Sequence, residues 1–265
     1  RSNIESLIEG GVHGIVPCGS TGEAATLTFE EHEQVVQEAI DVVNSRVPVI
    51  AGTGSNNTEE ALRLTRSARD AGADGALVIS PYYNKPNRSG LIKHFTKIAD
   101  LDLPIILYNV PGRTGQNLQP DLVAELARHP NIVGIKEASG DITQISRIIE
   151  ATQDEDFIVL SGDDGMTFPL LTLGGAGVIS VAANVEPRRM AQMYESYRAG
   201  DLGRALDLHY ELSPLFRAMF IDTNPVPVKM AAGIRGMAAG PVRLPLDNLD
   251  AERTERLREV LANYD

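Results

Sequence analysis

Five lysines occur in the chain, and Lys136 is the hardest of them to explain as a solvated charge. It ends the apolar run Ile132-Val133-Gly134-Ile135 and precedes Glu137-Ala138-Ser139. Lys93 and Lys97 are spaced i,i+4, the pattern of a water-facing helix surface. Lys85 lies in a Pro/Asn-rich loop, and Lys229 follows Pro225 and Pro227 near a helix start. A lysine carried into a pocket by a strand loses hydration, which disfavours its charged form. Moving its pKa from ~10.4 to ~7–8 costs roughly 4 kcal/mol. A fold keeps such a residue when a neutral amine is needed as the nucleophile for a carbonyl. The plainer reading is a strand-end lysine paired with Glu137 or another carboxylate.

Other groups capable of chemistry fall at comparable places. Gly19-Ser20-Thr21-Gly22-Glu23 follows the run Gly14-Ile15-Val16-Pro17 and offers backbone N–H groups and two hydroxyls to a carboxylate. Tyr108 ends Ile105-Ile106-Leu107, where a phenol can carry protons to and from a carbinolamine. Arg113 sits five residues on, in Val110-Pro111-Gly112-Arg113-Thr114-Gly115, where its fork of donors can grip a carboxylate. Tyr82 and Tyr83 follow Pro81 after another apolar run. Taken singly, these are a glycine turn, packed strand-end tyrosines and a loop arginine. Together, at the ends of different strands, they fit a site for small carboxylated carbonyl compounds.

Such a site needs a scaffold that gathers strand ends. Apolar runs at 14–17, 47–51, 75–79, 104–108, 132–136, 157–160 and 177–181 alternate with amphipathic segments, the mark of a parallel sheet buried on both faces. Strand alternation predicts Ile132, Gly134 and Lys136 on one face, with Val133, Ile135 and Glu137 on the other. Thr28-Phe29-Glu30-Glu31 fits a capping box, and Asp141 and Pro120 open helices. Seven predicted strands, with a helix over about 4–9 before the first, suggest an α/β fold of the (β/α)8 TIM-barrel type. Its first strand is expected upstream of this chain, which begins without Met. A seven-stranded open sheet is the alternative. The barrel is expected over residues 1–200, its last helix at 186–199. A C-terminal helical unit is expected over 201–265, with helices at 202–220, 225–234 and 251–264.

The 265 residues are 43% hydrophobic with a net charge of −12. That acidity argues against nucleic acid and anionic membranes as partners, and no apolar run reaches the ~18 residues of a membrane helix. The single cysteine, Cys18, suits a reducing compartment. It has no base placed to activate it as a nucleophile. The five histidines lack metal-ligand spacing, so neither a metal nor a cofactor is expected. Asp163-Asp164 stands where a phosphate-binding barrel wants glycine-rich donors, and Gly52-Thr53-Gly54 lacks the rest of a dinucleotide fingerprint.

The motifs Gly19-Ser20-Thr21-Gly22-Glu23, Pro81-Tyr82-Tyr83-Asn84-Lys85-Pro86, Tyr108-Asn109-Val110-Pro111-Gly112-Arg113-Thr114-Gly115, Gly134-Ile135-Lys136-Glu137-Ala138 and Asn224-Pro225-Val226-Pro227-Val228-Lys229 occur in this order. In this the chain resembles the dihydrodipicolinate synthase family of Schiff-base lyases, along its whole length. The resemblance implies condensation of pyruvate with aspartate semialdehyde in lysine and diaminopimelate biosynthesis, in the cytoplasm, by a homotetramer built from tight dimers. It implies an imine on Lys136 and a proton relay of Tyr108, Ser20 and Tyr83, the last lent by a neighbouring subunit. Thr21 is expected at the pyruvate carboxylate, Arg113 at the semialdehyde carboxylate, and Ile179 in the pyruvate pocket. Asn56, Glu60, Tyr82, Ala25 and His32 fall where some members bind lysine as a feedback inhibitor. Ser20 replaces the more frequent Thr and keeps the hydroxyl, whereas Phe29 stands where some lysine-sensitive members have His. A related aldolase acting on 2-keto-3-deoxy sugar acids and a non-catalytic relative are the competing readings.

Overall fold

A computed structural model describes residues 1–264. The chain opens with α1 (Ser2–Glu9) and α2 (Phe29–Val43), then alternates: β1 (Ile50–Gly52), α3 (Thr58–Ala71), β2 (Gly75–Ile79), α4 (Arg88–Ala99) and β3 (Ile105–Asn109). A single turn, α5 (Pro111–Thr114), and α6 (Pro120–Ala127) lead to β4 (Ile132–Glu137). The pattern continues through α7 (Ile142–Thr152), β5 (Ile158–Ser161), α8 (Thr167–Thr172), β6 (Gly177–Val178) and α9 (Pro187–Arg198). Helices α10 (Leu202–Ala218), α11 (Val226–Ile234) and α12 (Ala251–Leu261) follow, and a 3-10 turn at Ala262–Tyr264 comes after them.

The six strands pair in sequence order, all parallel. Right-handed twist curls such a sheet, and helices α3, α4, α6, α7 and α8 cover its outer face. Ala76, Val78, Ile105, Leu107 and Ile135 pack there against Leu62, Phe95, Leu122 and Ile148. Leu77, Ile106 and Tyr108 pack on the inner face with Ile79, Leu160 and Ile179. Fully covered strands explain why the runs read as almost continuously apolar.

Three of the seven expected strands are shorter than their sequence suggests: the run at 47–51 gives β1 at Ile50–Gly52, and the first and last are cut further. The segment 14–17 lies beside β1, with the Ile15 N–H donating to Pro48 O and the Ile50 N–H to Ile15 O, each at 2.9 Å. It amounts to one isolated bridge, Ile15 to Val49. Pro17 has no N–H to extend the ladder, and Cys18 turns the chain at φ 56°. At the other edge β6 stops at Val178 rather than 181. The Val181 and Ala182 N–H groups bond the Asp164 carboxylate at 3.1 and 2.9 Å instead of continuing the ladder. The sheet is therefore six strands plus a bridge.

Simple alternation also fails in β4. Ile105 pairs with Ile132 but Ile106 with Gly134, so one residue bulges. Ile132 and Ile135 consequently share the outer face, while Val133 joins the inner cluster. The expectation that Ile132 and Lys136 share a face is corrected by this bulge.

Helix starts follow their capping chemistry. Thr28 and Glu31 form the reciprocal box at α2, and the Asp141 carboxylate accepts from Thr143 and Gln144 at α7. Beyond β6, Val181, Val185, Met190 and Met193 form one apolar cluster with Leu208, Leu212, Leu215, Val228 and Leu257. The C-terminal helices are thereby packed onto the last βα unit.

Candidate active site

Lys136 occupies the penultimate position of β4, only 9% exposed. Its side chain runs over Gly162: a Cβ there would lie 3.0 Å from Lys136 Cε, 3.2 Å from its Cγ and 2.7 Å from Ala138 Cβ. A glycine just past β5 thus leaves the groove through which the amine reaches the site. Burial brings the Lys136 amine down to about 8, the nearby Arg113 charge acting in the same sense and Asp164 opposing both. No carboxylate pairs with it among the described residues. Glu137 turns to the other face, where it accepts from Asn109, Gln144 and the Ser139 N–H. The salt-bridged strand-end reading of Lys136 is not what the fold builds.

Tyr108 lies directly opposite Lys136 in the β3–β4 ladder. The lysine Nζ is 4.3 Å from the centre of the phenol ring. Burial raises the Tyr108 hydroxyl pKa, with Arg113 and the Ser20 hydroxyl pulling it back. The strand thus places Tyr108 beside the amine, and the loop after residue 17 brings Ser20 to the same point.

Thr21 and Arg113 are linked through Asn224, which lies between α10 and α11. Asn224 Nδ2 donates to Thr21 Oγ1 at 3.0 Å, and Arg113 Nη2 donates to the Asn224 carbonyl at 2.9 Å. Arg113 lies within α5, whose Pro111 suits the first helical turn and which Gly115 caps at φ 70°. The Glu23 side chain is bound to Lys229 and to the Arg243 N–H, fixing the end of the glycine turn to α11 and the segment that follows it. Ile179 follows β6 on the inner face, its N–H bonded to Ser161 O at 2.9 Å.

Tyr83 stands apart, 89% exposed at φ 72°. Its neighbours are anchored locally: Asn56 Nδ2 donates to Tyr82 O at 3.1 Å and Asn84 Nδ2 to Asn56 O at 2.8 Å. Glu60 accepts from Ser55 at 2.8 Å and from Asn57 at 3.3 Å. Ala25 lies exposed in a 3-10 turn, and His32 is buried with Nε2 2.7 Å from Gly52 O. Asn56 and Tyr82 are therefore in contact, while His32 is engaged by the backbone of β1.

Three site roles are not assigned by the sequence reading, although it names Asp164 and Asn224 for other reasons. Gly162 makes room for the lysine. Asp164 is wholly buried and holds Ser180 Oγ and two backbone N–H groups. Asn224 couples Thr21 to Arg113. Asp163-Asp164 after an apolar run signals a buried capping carboxylate as readily as an unsuitable phosphate site. No local pattern announces Gly162, or the link that Asn224 makes between Thr21 and Arg113.

Over residues 1–264 the chain matches the model of the dihydrodipicolinate synthetase family. It is 80% identical to 4-hydroxy-tetrahydrodipicolinate synthase of Methanoculleus marisnigri, covering 100% of this chain and 91% of that protein. Identity to the protein of the same name from Methanosphaerula palustris is 69%, with the same coverage. The crystal structure of dihydrodipicolinate synthase from Aquifex aeolicus superposes with a TM-score of 0.97 at 46% identity, covering 99% of this chain and 90% of that one. The chain belongs to the dihydrodipicolinate synthetase family.

Proposed function

We propose that this enzyme condenses pyruvate with L-aspartate 4-semialdehyde through an imine on Lys136, giving 4-hydroxy-tetrahydrodipicolinate for lysine and diaminopimelate biosynthesis. One observation carries the mechanism: a buried lysine amine, unpaired with any carboxylate among the described residues, held 4.3 Å from the Tyr108 ring. With its pKa near 8, about a tenth of the amine is neutral and nucleophilic at pH 7, far more than for an ordinary lysine. The neutral amine adds to the ketone carbon of pyruvate. Tyr108, with Ser20 and Tyr83, passes protons to the carbinolamine oxygen, which leaves as water. Thr21 and the N–H groups of its glycine turn hold the pyruvate carboxylate, and Ile179 packs against the methyl side. Loss of a methyl proton gives an enamine, whose carbon attacks the aldehyde while Arg113 holds the second carboxylate. The amino group of the adduct then displaces Lys136 from the imine carbon, closing the ring and restoring the free amine.

Tyr83 supports a relay shared between subunits, since its side chain is turned to solvent within one chain. We read the assembly as a homotetramer of tight dimers. We read the sheet with its bridge as the greater part of a (β/α)8 barrel at 1–200, with 201–265 as an appended helical unit. No described helix is long and apolar enough to cross a membrane, and the cytoplasm is the proposed location. Asn56, Glu60, Tyr82, Ala25 and His32 remain the proposed lysine-binding positions.

Steady-state assays with pyruvate and aspartate semialdehyde, set against cleavage of 2-keto-3-deoxy sugar acids, test this function. Turnover of the semialdehyde pair is expected to dominate. Efficient cleavage of the sugar acids without semialdehyde turnover would assign the chain to the aldolase reading.

A further inference from the structure

Behind Lys136 and Tyr108 lies a buried polar network that no step of the reaction uses. Asn109 and Glu137 are the next rung of the same ladder, directly opposite one another. They are 0% and 1% exposed. Glu137 Oε2 accepts from Asn109 Nδ2 at 2.9 Å and from Gln144 Nε2 of α7 at 3.1 Å, and its Oε1 accepts from the Ser139 N–H at 2.6 Å. Asn109 Nδ2 also reaches Asn117 Oδ1 at 2.8 Å, and its Oδ1 accepts from the Leu118 N–H at 3.0 Å. Asn117 and Gln144 exchange bonds of 2.7 and 3.0 Å.

A carboxylate in an apolar wall is costly unless its lone pairs are filled, and apolar residues of similar size often serve stability as well. Here the neighbouring wall is Leu107, Leu118, Ile135 and Ile145, so packing alone does not call for acid or amides. What the four side chains do is tie β3, β4, α7 and the far end of the loop bearing Arg113. Alternation makes the coupling direct: fixing Asn109 and Glu137 on the outer face fixes the rotation of Tyr108 and Lys136 on the inner one.

We propose that Glu137, with Asn109, Asn117 and Gln144, is a positioning residue that sets the mutual orientation of Lys136 and Tyr108 and anchors the Arg113 loop. This rests on the imine reading above. Small misplacement of reacting groups costs up to about 100-fold in rate. The two ends of the network therefore affect two different steps.

The test compares wild type, Glu137→Gln and Asn117→Ala, following borohydride trapping of pyruvate, steady-state constants for both substrates, and thermal melting. Glu137→Gln, nearly isosteric but short of an acceptor for Ser139, is expected to slow imine trapping about 10-fold or more at saturating pyruvate. Its pyruvate KM is expected within about 3-fold of wild type, since Thr21 and the glycine turn are untouched. Asn117→Ala is expected to trap pyruvate normally and to raise the semialdehyde KM about 5- to 10-fold through the Arg113 loop. If Glu137→Gln fails to fold, Gln144→Ala, which removes a donor to the Glu137 carboxylate, takes its place with the same expected slowing of trapping. Normal trapping and normal constants in every folded variant overturn the positioning role. Failure of wild type itself to trap pyruvate overturns the imine reading instead.

Discussion

Lys136 Nζ sits 4.3 Å from the centre of the Tyr108 ring, across one rung of a parallel ladder. Parallel pairing at a strand end is a stiff way to hold an amine and a phenol together, because neither depends on loop conformation. The face of the ring also stabilises the ammonium form when it is present.

The pH dependence follows from that burial. With the amine at about 8, trapping is expected to rise with pH and reach half its limiting rate near pH 8. Asp164→Asn removes the charge that holds the proton on, so its midpoint is expected at lower pH. Arg113→Ala removes a charge that drives the proton off, so its midpoint is expected to be higher. A profile flat from neutrality to about pH 10 contradicts a depressed amine.

The same burial has a stability consequence. Between about 8 in the fold and 10.5 in the unfolded chain, the unfolded state binds more protons, so native stability rises with pH across this window. Below it the fold carries a buried charge at a cost of roughly 3 kcal/mol. Lys136→Met, of similar length and without charge, is expected to be inactive and more stable at pH 7. The gain should shrink to nothing above about 10.5, which melting curves at several pH values would show.

Gly162→Ala places a methyl 3.0 Å from Lys136 Cε and 2.7 Å from Ala138 Cβ. Overpacking of this kind costs about 1–3 kcal/mol. Because the lysine is one of the groups displaced, kcat is expected to fall about 10-fold or more, beyond what lost stability explains. Activity per folded molecule, measured well below Tm, separates the two.

Arg113→Ala is expected to spare pyruvate trapping above its midpoint while raising the semialdehyde KM sharply. A loss of trapping at high pH would move Arg113 from the second substrate to the first.

Much of this was legible in the chain. Lys136 after four apolar residues, Tyr108 after three, and the Gly19–Gly22 turn all declare themselves through strand-end position. The β4 bulge did not, because hydrophobicity alone says nothing about which residue is extra when both faces are buried. The shortening of β6 was hidden as well: Ser180-Val181 reads as strand, and only the fold reveals that Asp164 takes the Ser180 hydroxyl and the Val181 and Ala182 N–H groups. Gly162 and Asn224 act on residues 26 and 203 positions away, beyond any local pattern.

The most direct measurement is peptide mass mapping after borohydride reduction of the intact protein with pyruvate. A single reduced pyruvate adduct on the peptide containing Lys136, lost in Lys136→Ala and kept in Lys93→Ala, is the predicted result. An unmodified Lys136 in folded, pyruvate-saturated protein, or an adduct on another lysine, would contradict the account.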